Sequence, residues 1–255
     1  MLQLPISGLK VTFQQPTGWD DLLLQEKQAS GVALSLALIE RLVKAACGPK
    51  VSWNRLPITD LDTLLLLLRQ RLIGDVILSD TRCQQPSCGA RVDISFRIGE
   101  YLASHRQRRP QWVEEDADGW YRLAGQATKF RLPTGGDLEA LDGDADAERE
   151  LIRKCVQPED VSAPERRRIE RAMEAMAPAL SHTVEGACPE CGATLEVYFD
   201  VRSFVLGELA DRAGSIYQDV HLLALHYNWP EESILALPQK RRRYYAEMLR
   251  DRGAA

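Results

Sequence analysis

The sequence lacks the features that mark several classes of protein. Its longest uninterrupted apolar run, Leu64 to Leu68, is closed by Arg69 and is far shorter than the ~20 residues that a membrane helix needs. Aromatic residues make up only 7% of the 255 residues, and the formal net charge is −5. A chain with this acidic balance is not expected to have nucleic acid as its main partner.

Common catalytic motifs are also missing. We find no glycine-rich phosphate loop, no recognisable order of Ser, His and Asp, and no paired-carboxylate motif. Gly135 and Gly136 precede Asp137 at the start of a short helix, but neither Lys-Ser nor Lys-Thr follows them, so we interpret the segment as a turn. We therefore expect a protein that is not an enzyme and that takes no small-molecule substrate.

The sequence does contain two similar cysteine motifs. They are Cys83-Gln84-Gln85-Pro86-Ser87-Cys88-Gly89 and Cys188-Pro189-Glu190-Cys191-Gly192. Two thiolates from one tight turn, followed by a glycine that accepts a positive φ, are typical of a zinc knuckle. Residues 88–96 and 191–199 align with each other and alternate in the manner of strands, which predicts two related hairpins. We expect one structural zinc ion, ligated by Cys83, Cys88, Cys188 and Cys191.

Other interpretations of the cysteines remain open. Disulfides are one, although the chain starts Met1-Leu2-Gln3 without a signal peptide and a reducing compartment is expected. Redox chemistry is another, but a redox Cys-x-x-Cys motif usually opens a helix, whereas here a strand follows. His105 and His182 could donate second-shell hydrogen bonds or replace a ligand. Cys47 and Cys155 lie in helical apolar patterns and are predicted to be small buried residues.

The pattern of elements predicts an α+β protein with helical N-terminal and C-terminal parts around the two zinc-knuckle hairpins. Between the hairpins we expect an inserted region that is β-rich and helical, with Asp118-Gly119 as a hairpin turn. The predicted regions are an N-terminal strand and helical region at 1–74, the first hairpin at 75–104, a β-meander with charged helices at 105–180, the second hairpin at 181–200, and a helical arm at 201–255.

Four details of the helices can be checked directly. A helix is predicted over residues 32–47, where apolar residues recur at helical spacing. The next helix is expected to begin with Thr59 as its N-cap and to be almost surrounded by protein, because leucines occupy nearly all of its sides. A single apolar seam predicts one long helix from Val201 to Tyr227.

The C-terminal region contains a cluster of cations and tyrosines. Its first interpretation is structural, and the functional hypothesis is that it binds a partner protein, because Arg, Tyr and Trp are enriched at protein interfaces. The candidate residues are Trp229, Arg241, Arg242, Arg243, Tyr244 and Tyr245. The structural interpretation is a charged helix face whose tyrosines pack on the preceding long helix, and a contact with nucleic acid is the remaining alternative.

Several segments together resemble the baseplate protein family of contractile phage tails and related injection systems. They are the second cysteine motif, Phe199 to Val205, Val220 to Ala224, Tyr227 to Trp229, Ile234 to Pro238, Arg241 to Tyr245 and, earlier in the chain, Phe130 to Leu138. The resemblance spans roughly residues 75–250, while the N-terminal third is only generically similar.

This resemblance implies a structural or assembly protein of the baseplate or its hub, related to the base plate proteins of T-even-type phages. Its partners would be other baseplate or hub subunits, and no catalytic residues are implied. The protein would be cytoplasmic during assembly and then part of the particle. An assembly chaperone that is absent from the finished particle, and a zinc-ribbon protein that binds nucleic acid, remain as alternatives.

Overall fold

The computed structural model describes residues 1–26, 31–46, 51–141 and 147–253, and its N-terminal part combines a small sheet with three helices. The elements are β1 (Leu2–Gln3), β2 (Lys10–Phe13), α1 (Gly18–Glu26), α2 (Gly31–Leu42), β3 (Val43–Ala45) and α3 (Ile58–Leu72). The strands form an antiparallel sheet in the order β1-β2-β3. The helix predicted over 32–47 is therefore wrong beyond Leu42, because Val43 pairs with Phe13 and the backbone continues as a strand. Cys47 lies outside the described residues.

The first hairpin and the inserted region follow. They comprise β4 (Val76–Arg82), β5 (Arg91–Arg97), α4 (Ile98–Ser104), β6 (Val113–Glu115), β7 (Trp120–Leu123), β8 (Lys129–Arg131), α5 (Gly135–Glu139), α6 (Ala147–Lys154), β9 (Val156–Gln157) and α7 (Ala163–Met176). The predicted meander is confirmed, and β9 joins it as a fourth strand after α5 and α6. This region has a hydrophobic cluster of its own, in which Phe130 and Ile169 are both fully buried.

The last part of the chain contains the second hairpin and four helices. These elements are β10 (His182–Ala187), β11 (Thr194–Phe199), α8 (Val201–Ala213), α9 (Ile216–Tyr227), α10 (Glu231–Leu235) and α11 (Gln239–Gly253). The single helix predicted from Val201 to Tyr227 is wrong, because the helix is interrupted at Gly214 and Ser215, two residues with poorer helix propensity than the apolar residues around them. The break lets α8 pack on α1, α2 and α3 while α9 packs on α10 and α11.

Helix α3 is the centre of the main core. Its residues Leu61, Leu64, Leu65, Leu66 and Leu68 each have 0% of their surface exposed, which confirms that the helix is surrounded. The same cluster includes residues from the N-terminal sheet, from α2 and from α8. The main core therefore joins residues from both ends of the chain.

The start of α3 differs from the prediction. The helix begins at Ile58 with Pro57 in the capping position, so Thr59 is not the N-cap. The Thr59 hydroxyl instead donates a hydrogen bond to the carbonyl of Pro178 at 2.9 Å. Asp60 accepts hydrogen bonds from the backbone N–H groups of Ile6 and Ser7 at 2.9 and 2.8 Å. Thr59 and Asp60 thus bind distant segments of the chain and do not cap the N-terminus of α3.

A buried ion-pair network fixes the C-terminal helices to the core. Arg242 on α11 is 0% exposed and pairs with Asp21 on α1 and with Asp219 on α9. Asp219 also accepts a hydrogen bond from Arg250 at 2.5 Å. At Gly18, near Arg242, an added Cβ would lie 2.8 Å from the Leu235 Cα, so only glycine permits this close approach between α1 and α10.

Asp62 is a second buried charge near the base of the hairpins. It is 1% exposed, and one of its oxygens lies 3.4 Å from Nη1 of Arg202. Burial raises the pKa of Asp62 to about 6, against the opposing effect of Arg202. The folded state therefore favours the protonated form of the Asp62 carboxyl group.

Among the described residues, no helix is long and apolar enough to cross a membrane.

Replacing Arg242 with Met is expected to lower the free energy of unfolding by about 3 to 5 kcal/mol, because Asp21 and Asp219 would remain buried without their shared cation. Urea denaturation of the purified protein measures this change. The control is Arg241→Met on the same helix, where the side chain is exposed and an effect below about 0.5 kcal/mol is expected. Equal losses in the two variants would contradict the role of the buried network.

The Asp62→Asn variant tests the effect of burial on this carboxyl group. The pKa of Asp62 is higher in the folded protein than the usual 3.8, so its contribution to stability is present below pH 3.8 and is lost as the pH rises to about 6. Relative to the variant, the wild type should lose about 2 to 3 kcal/mol of unfolding free energy between pH 4 and pH 7. Asp211→Asn, at an exposed position, serves as the control, and a constant difference between the wild type and Asp62→Asn would contradict the expectation.

Candidate metal centre

The four cysteines of the two motifs lie at the tips of the two hairpins. Strands β4 and β5 pair from Val76 with Arg97 to Arg82 with Arg91, and β10 and β11 pair from His182 with Phe199 to Ala187 with Thr194. Both predicted hairpins are thus present. Their inner faces pack against each other, and the Phe96 and Phe199 rings meet edge to face at 5.2 Å.

The two tips are closed in the same way although their loops differ in length. The backbone N–H of Cys83 donates to the carbonyl of Ala90, and that of Cys188 donates to Ala193, both at 2.8 Å. The glycine after the second cysteine of each motif has a positive φ, 60° at Gly89 and 73° at Gly192. The two additional residues of the first motif are therefore accommodated within its turn, and both tips present their thiols similarly.

The four Sγ atoms converge on one point. All of them lie within 4.8 Å of one another, with 3.7 Å between Cys83 and Cys191 and 3.9 Å between Cys88 and Cys188. For Zn–S bonds of 2.3 Å, the sulfurs of a regular tetrahedron are about 3.8 Å apart. All four cysteines are free thiols rather than disulfides. The cluster therefore has the donor atoms and the spacing of a tetrahedral thiolate site.

The backbone around the thiols favours their ionisation to different extents. At Cys188 the N–H groups of Cys191 and Glu190 lower the thiol pKa to about 7. At the other three cysteines a backbone N–H also favours the thiolate, but burial and the neighbouring thiols outweigh it and the pKa is raised. A cation at the centre would remove this mutual penalty, since thiolates that converge without one repel each other.

Apolar side chains support the cluster from below. Val92 and Leu195 are 8% and 7% exposed and occupy matching positions on β5 and β11, where they contact the cysteines and the alanines beside them. Cys83 and Cys188 are buried and Cys191 is exposed, so one side of the site reaches the surface.

His105 and His182 do not lie at the cysteines. Their Nε2 atoms are 2.8 Å apart, and both rings contact the ring of Tyr101. His182 begins β10, whereas Cys188 follows its last residue, so about 20 Å of strand separates this histidine from the cluster. The predicted role of these histidines as second-shell donors or replacement ligands is wrong, because they form a pair at the base of the hairpins.

Cys155 is also remote from the cluster. It is fully buried in the hydrophobic core of the inserted region, as predicted for a small apolar residue. Burial raises the pKa of its thiol to about 11, so it stays protonated.

The predicted partner-binding residues separate into two groups. Arg242 is fully buried in the ion-pair network, so the structure removes it from any partner surface. No sequence pattern connects Arg242 to its acceptors, Asp21 and Asp219. The others lie at or near the surface and are Trp229, Arg241, Arg243, Tyr244 and Tyr245.

An aromatic cluster joins several of these surface residues. Tyr227 stacks on Trp229 with ring centroids 4.9 Å apart, and Tyr245 meets Trp229 at 5.7 Å. Trp229 and Tyr245 pack against apolar residues of α9, while Tyr244 is 61% exposed. One tyrosine thus supports the helix packing and the other is free to contact a partner.

A comparison with protein families identifies the group to which the chain is related. The profile of a family described as T4 bacteriophage base plate protein matches residues 1–158. The chain belongs to this family. A structural role in the base plate of a phage tail follows at this coarse level, with other base plate subunits as partners. No curated protein and no solved structure matches the chain.

The family match differs in extent from the resemblance seen in the sequence. It includes the N-terminal third, where only a generic similarity was expected, together with the first cysteine motif and the segment from Phe130 to Leu138. It ends before the second cysteine motif and before all of the C-terminal segments. The family prediction is therefore confirmed, the N-terminal third belongs to the match although only a generic similarity was expected there, and the resemblance of residues 159–250 stays a prediction.

Proposed function

We propose that the protein is a permanent structural component of the baseplate or hub of a contractile phage tail or injection system, and that a structural zinc ion joins its two hairpins. The observation that supports the zinc is the convergence of four sulfurs from positions about 100 residues apart within 4.8 Å of one another. The family match supports the role in the baseplate.

The ligand set favours a structural ion over a catalytic one. Catalytic zinc sites keep one position for water or substrate, whereas four thiolates complete the tetrahedron. The protein would therefore act through contacts with other subunits and not through a reaction at the metal. Zinc is the expected ion because it takes four thiolates in a tetrahedron without a redox change.

The stabilisation expected from such an ion exceeds the entropy cost of bringing the two hairpins together. Closing a loop of about 100 residues costs roughly 4 kcal/mol of chain entropy. Structural zinc sites contribute on the order of 10 kcal/mol. Because α8 begins at Val201, directly after β11, fixing the second hairpin also fixes the start of a helix that packs on α1, α2 and α3.

The C-terminal helices would present the surface that meets neighbouring subunits. Tyr244 and Arg241 are exposed on α11, and the ring of Tyr244 lies 6.4 Å from that of Tyr245 in the aromatic cluster. A mixed aromatic and cationic surface of this kind fits a protein partner. The buried Arg242 would hold α11 in place, so that this surface is rigid before the partner arrives.

Metal analysis of the purified protein tests the zinc. We expect a single zinc ion per chain in the wild type and in Cys155→Ser, and zinc binding at least about tenfold weaker in Cys191→Ser, where one of four thiolates is lost. Cys155→Ser is a matched control because it removes a thiol that lies outside the cluster. Chelation should lower the unfolding midpoint of the wild type. A wild type that is free of metal and insensitive to chelation would contradict the proposal.

Mass spectrometry of assembled particles tests whether the protein is a permanent component. We expect the protein in particles that have been purified and washed in high salt, at a constant ratio to the other base plate subunits. Presence in assembly intermediates and absence from finished particles would select the assembly chaperone instead. Binding of the isolated protein to DNA or RNA that weakens steeply with salt would favour the nucleic-acid interpretation.

A further inference from the structure

The two ends of the inserted region meet at a pair of histidines. The chain enters this region at His105, directly after α4, and leaves it at His182, the first residue of β10. The Nε2 atoms of the two rings lie 2.8 Å apart, which is a hydrogen-bond distance. Because the inserted region has a hydrophobic cluster of its own, the histidine pair closes the neck between this region and the rest of the molecule.

The other nitrogen of each ring lies at a backbone carbonyl. Nδ1 of His105 is 2.8 Å from the carbonyl oxygen of Tyr101. Nδ1 of His182 is 2.8 Å from the carbonyl oxygen of Thr183. A carbonyl oxygen only accepts hydrogen bonds, so each Nδ1 carries a hydrogen. The Ser104 hydroxyl lies 3.1 Å from Nδ1 of His105, but it gives its one hydrogen to the carbonyl of Tyr101.

Two neutral rings in this arrangement would repel each other. A neutral imidazole with its hydrogen on Nδ1 has only a lone pair on Nε2. A zinc ion does not fit between the two lone pairs, because Zn–N bonds of about 2.0 to 2.1 Å in a tetrahedron hold the nitrogens about 3.3 Å apart. A single proton does fit, since the 2.8 Å distance is then a hydrogen bond from an imidazolium to a neutral ring.

The surroundings favour one positive charge on the pair. The ring centroid of Tyr101 is 4.4 Å from that of His105 and 5.9 Å from that of His182, and an aromatic ring attracts a cation. Burial raises the pKa of the Tyr101 hydroxyl to about 12, and the nearby Asp62 adds to this effect, so a carboxyl group lies behind the ring.

Other charged side chains lie on the elements around the pair. They are Glu100, Arg106, Arg108, Glu174, Asp200 and Arg202. Within the described part of the chain, none of them forms an ion pair with either histidine. The charge state of the pair is therefore set mainly by the contact between the two rings.

We propose that His105 and His182 share one proton and form a pH-sensitive contact that holds the two ends of the inserted region together. With one proton, the contact is a charge-assisted hydrogen bond. With two protons, both rings are cations and repel each other. With none, one ring has to give up its bond to a carbonyl in order to supply the hydrogen between the rings. The inference goes beyond the proposed zinc site, which lies about 20 Å away along β10.

The pH at which the contact is strongest follows from proton linkage. In the unfolded chain the two histidines titrate independently at about pH 6.5. The folded pair binds its first proton more tightly than such a histidine and its second proton less tightly. Its contribution to stability is therefore greatest at about pH 6.5. This contribution is lost as the pH falls and the second proton binds, and also as the pH rises and the first proton leaves.

Nuclear magnetic resonance of the zinc-loaded protein with 15N-labelled histidine tests the shared proton. At about pH 6.5 we expect hydrogen on Nδ1 of both His105 and His182, and one further proton divided between their Nε2 atoms. The exposed His221 and His226 serve as references in the same spectra. A ring of the pair with hydrogen on Nε2 and none on Nδ1 would show a neutral pair and overturn the proposal.

Hydrogen exchange tests whether the pair closes the neck. The backbone N–H of Arg108, close to His105 in the chain, donates to the carbonyl of Ala175 at 2.6 Å. After correction for the intrinsic exchange rate, its protection should be greatest at about pH 6.5 and about fivefold lower at about pH 5 and about pH 8.5. The N–H of Cys188 at the hairpin tip should not show this maximum. Zinc content is measured at each pH, so that loss of metal, which concerns the proposed function, is distinguished from opening of the neck.

The variant His182→Gln should abolish the maximum. Its amide can still donate a hydrogen bond to Nε2 of His105, but the two side chains no longer share a proton. The control His221→Gln replaces an exposed histidine on α9 and should keep the maximum. Asp62→Asn should also keep it, although it removes a carboxyl group whose pKa is about 6.

Two results of the exchange experiment would overturn the proposal. One is a wild type in which protection of the Arg108 N–H has no maximum between acid and alkaline pH. The other is a maximum that persists in His182→Gln, since this would assign the pH dependence to a different group.

Discussion

The four cysteines bring the tips of the two hairpins to one point. The two hairpins come from positions about 100 residues apart, and each is only a two-stranded sheet. Isolated two-stranded sheets are marginal in water. Their inner faces supply a small apolar contact, with Val92 and Leu195 beneath the thiols. A zinc ion bound by all four thiolates would turn this contact into a rigid joint, and the helix that begins directly after the second hairpin would inherit its position.

Buried hydrogen bonds and ion pairs elsewhere in the molecule also connect distant segments of the chain. The Asp60 carboxylate holds the N-terminal segment through two backbone N–H groups, and Arg242 holds the C-terminal helix through two buried aspartates. These groups are buried together with their partners, which makes loss of one partner costly. The main core is therefore connected to both ends of the chain and to the hairpins.

The local parts of this structure could be predicted from the sequence. The two cysteine motifs, with a glycine after each and an alternating strand behind it, indicated the hairpins and the cluster, since turn chemistry and a period of two are properties of short segments. The leucine pattern of α3 likewise indicated its burial on all sides. These predictions needed no knowledge of which elements touch.

The errors arose where long-range contacts decided the outcome. Val43 continues as a strand because β2 is available to pair with it, and Thr59 leaves the N-cap position because its hydroxyl reaches the carbonyl of Pro178. Arg242 looked like part of a surface cluster, but its partners are at positions 21 and 219, which no local pattern connects to it.

X-ray absorption at the zinc edge of the purified protein reports the atoms bound to the metal and their distances, and it therefore tests whether four thiolates hold one zinc ion. We expect a single shell of four sulfur atoms at about 2.3 Å, unchanged in Cys155→Ser. A shell that contains nitrogen or oxygen ligands, or a zinc–zinc distance from a second ion, would contradict it.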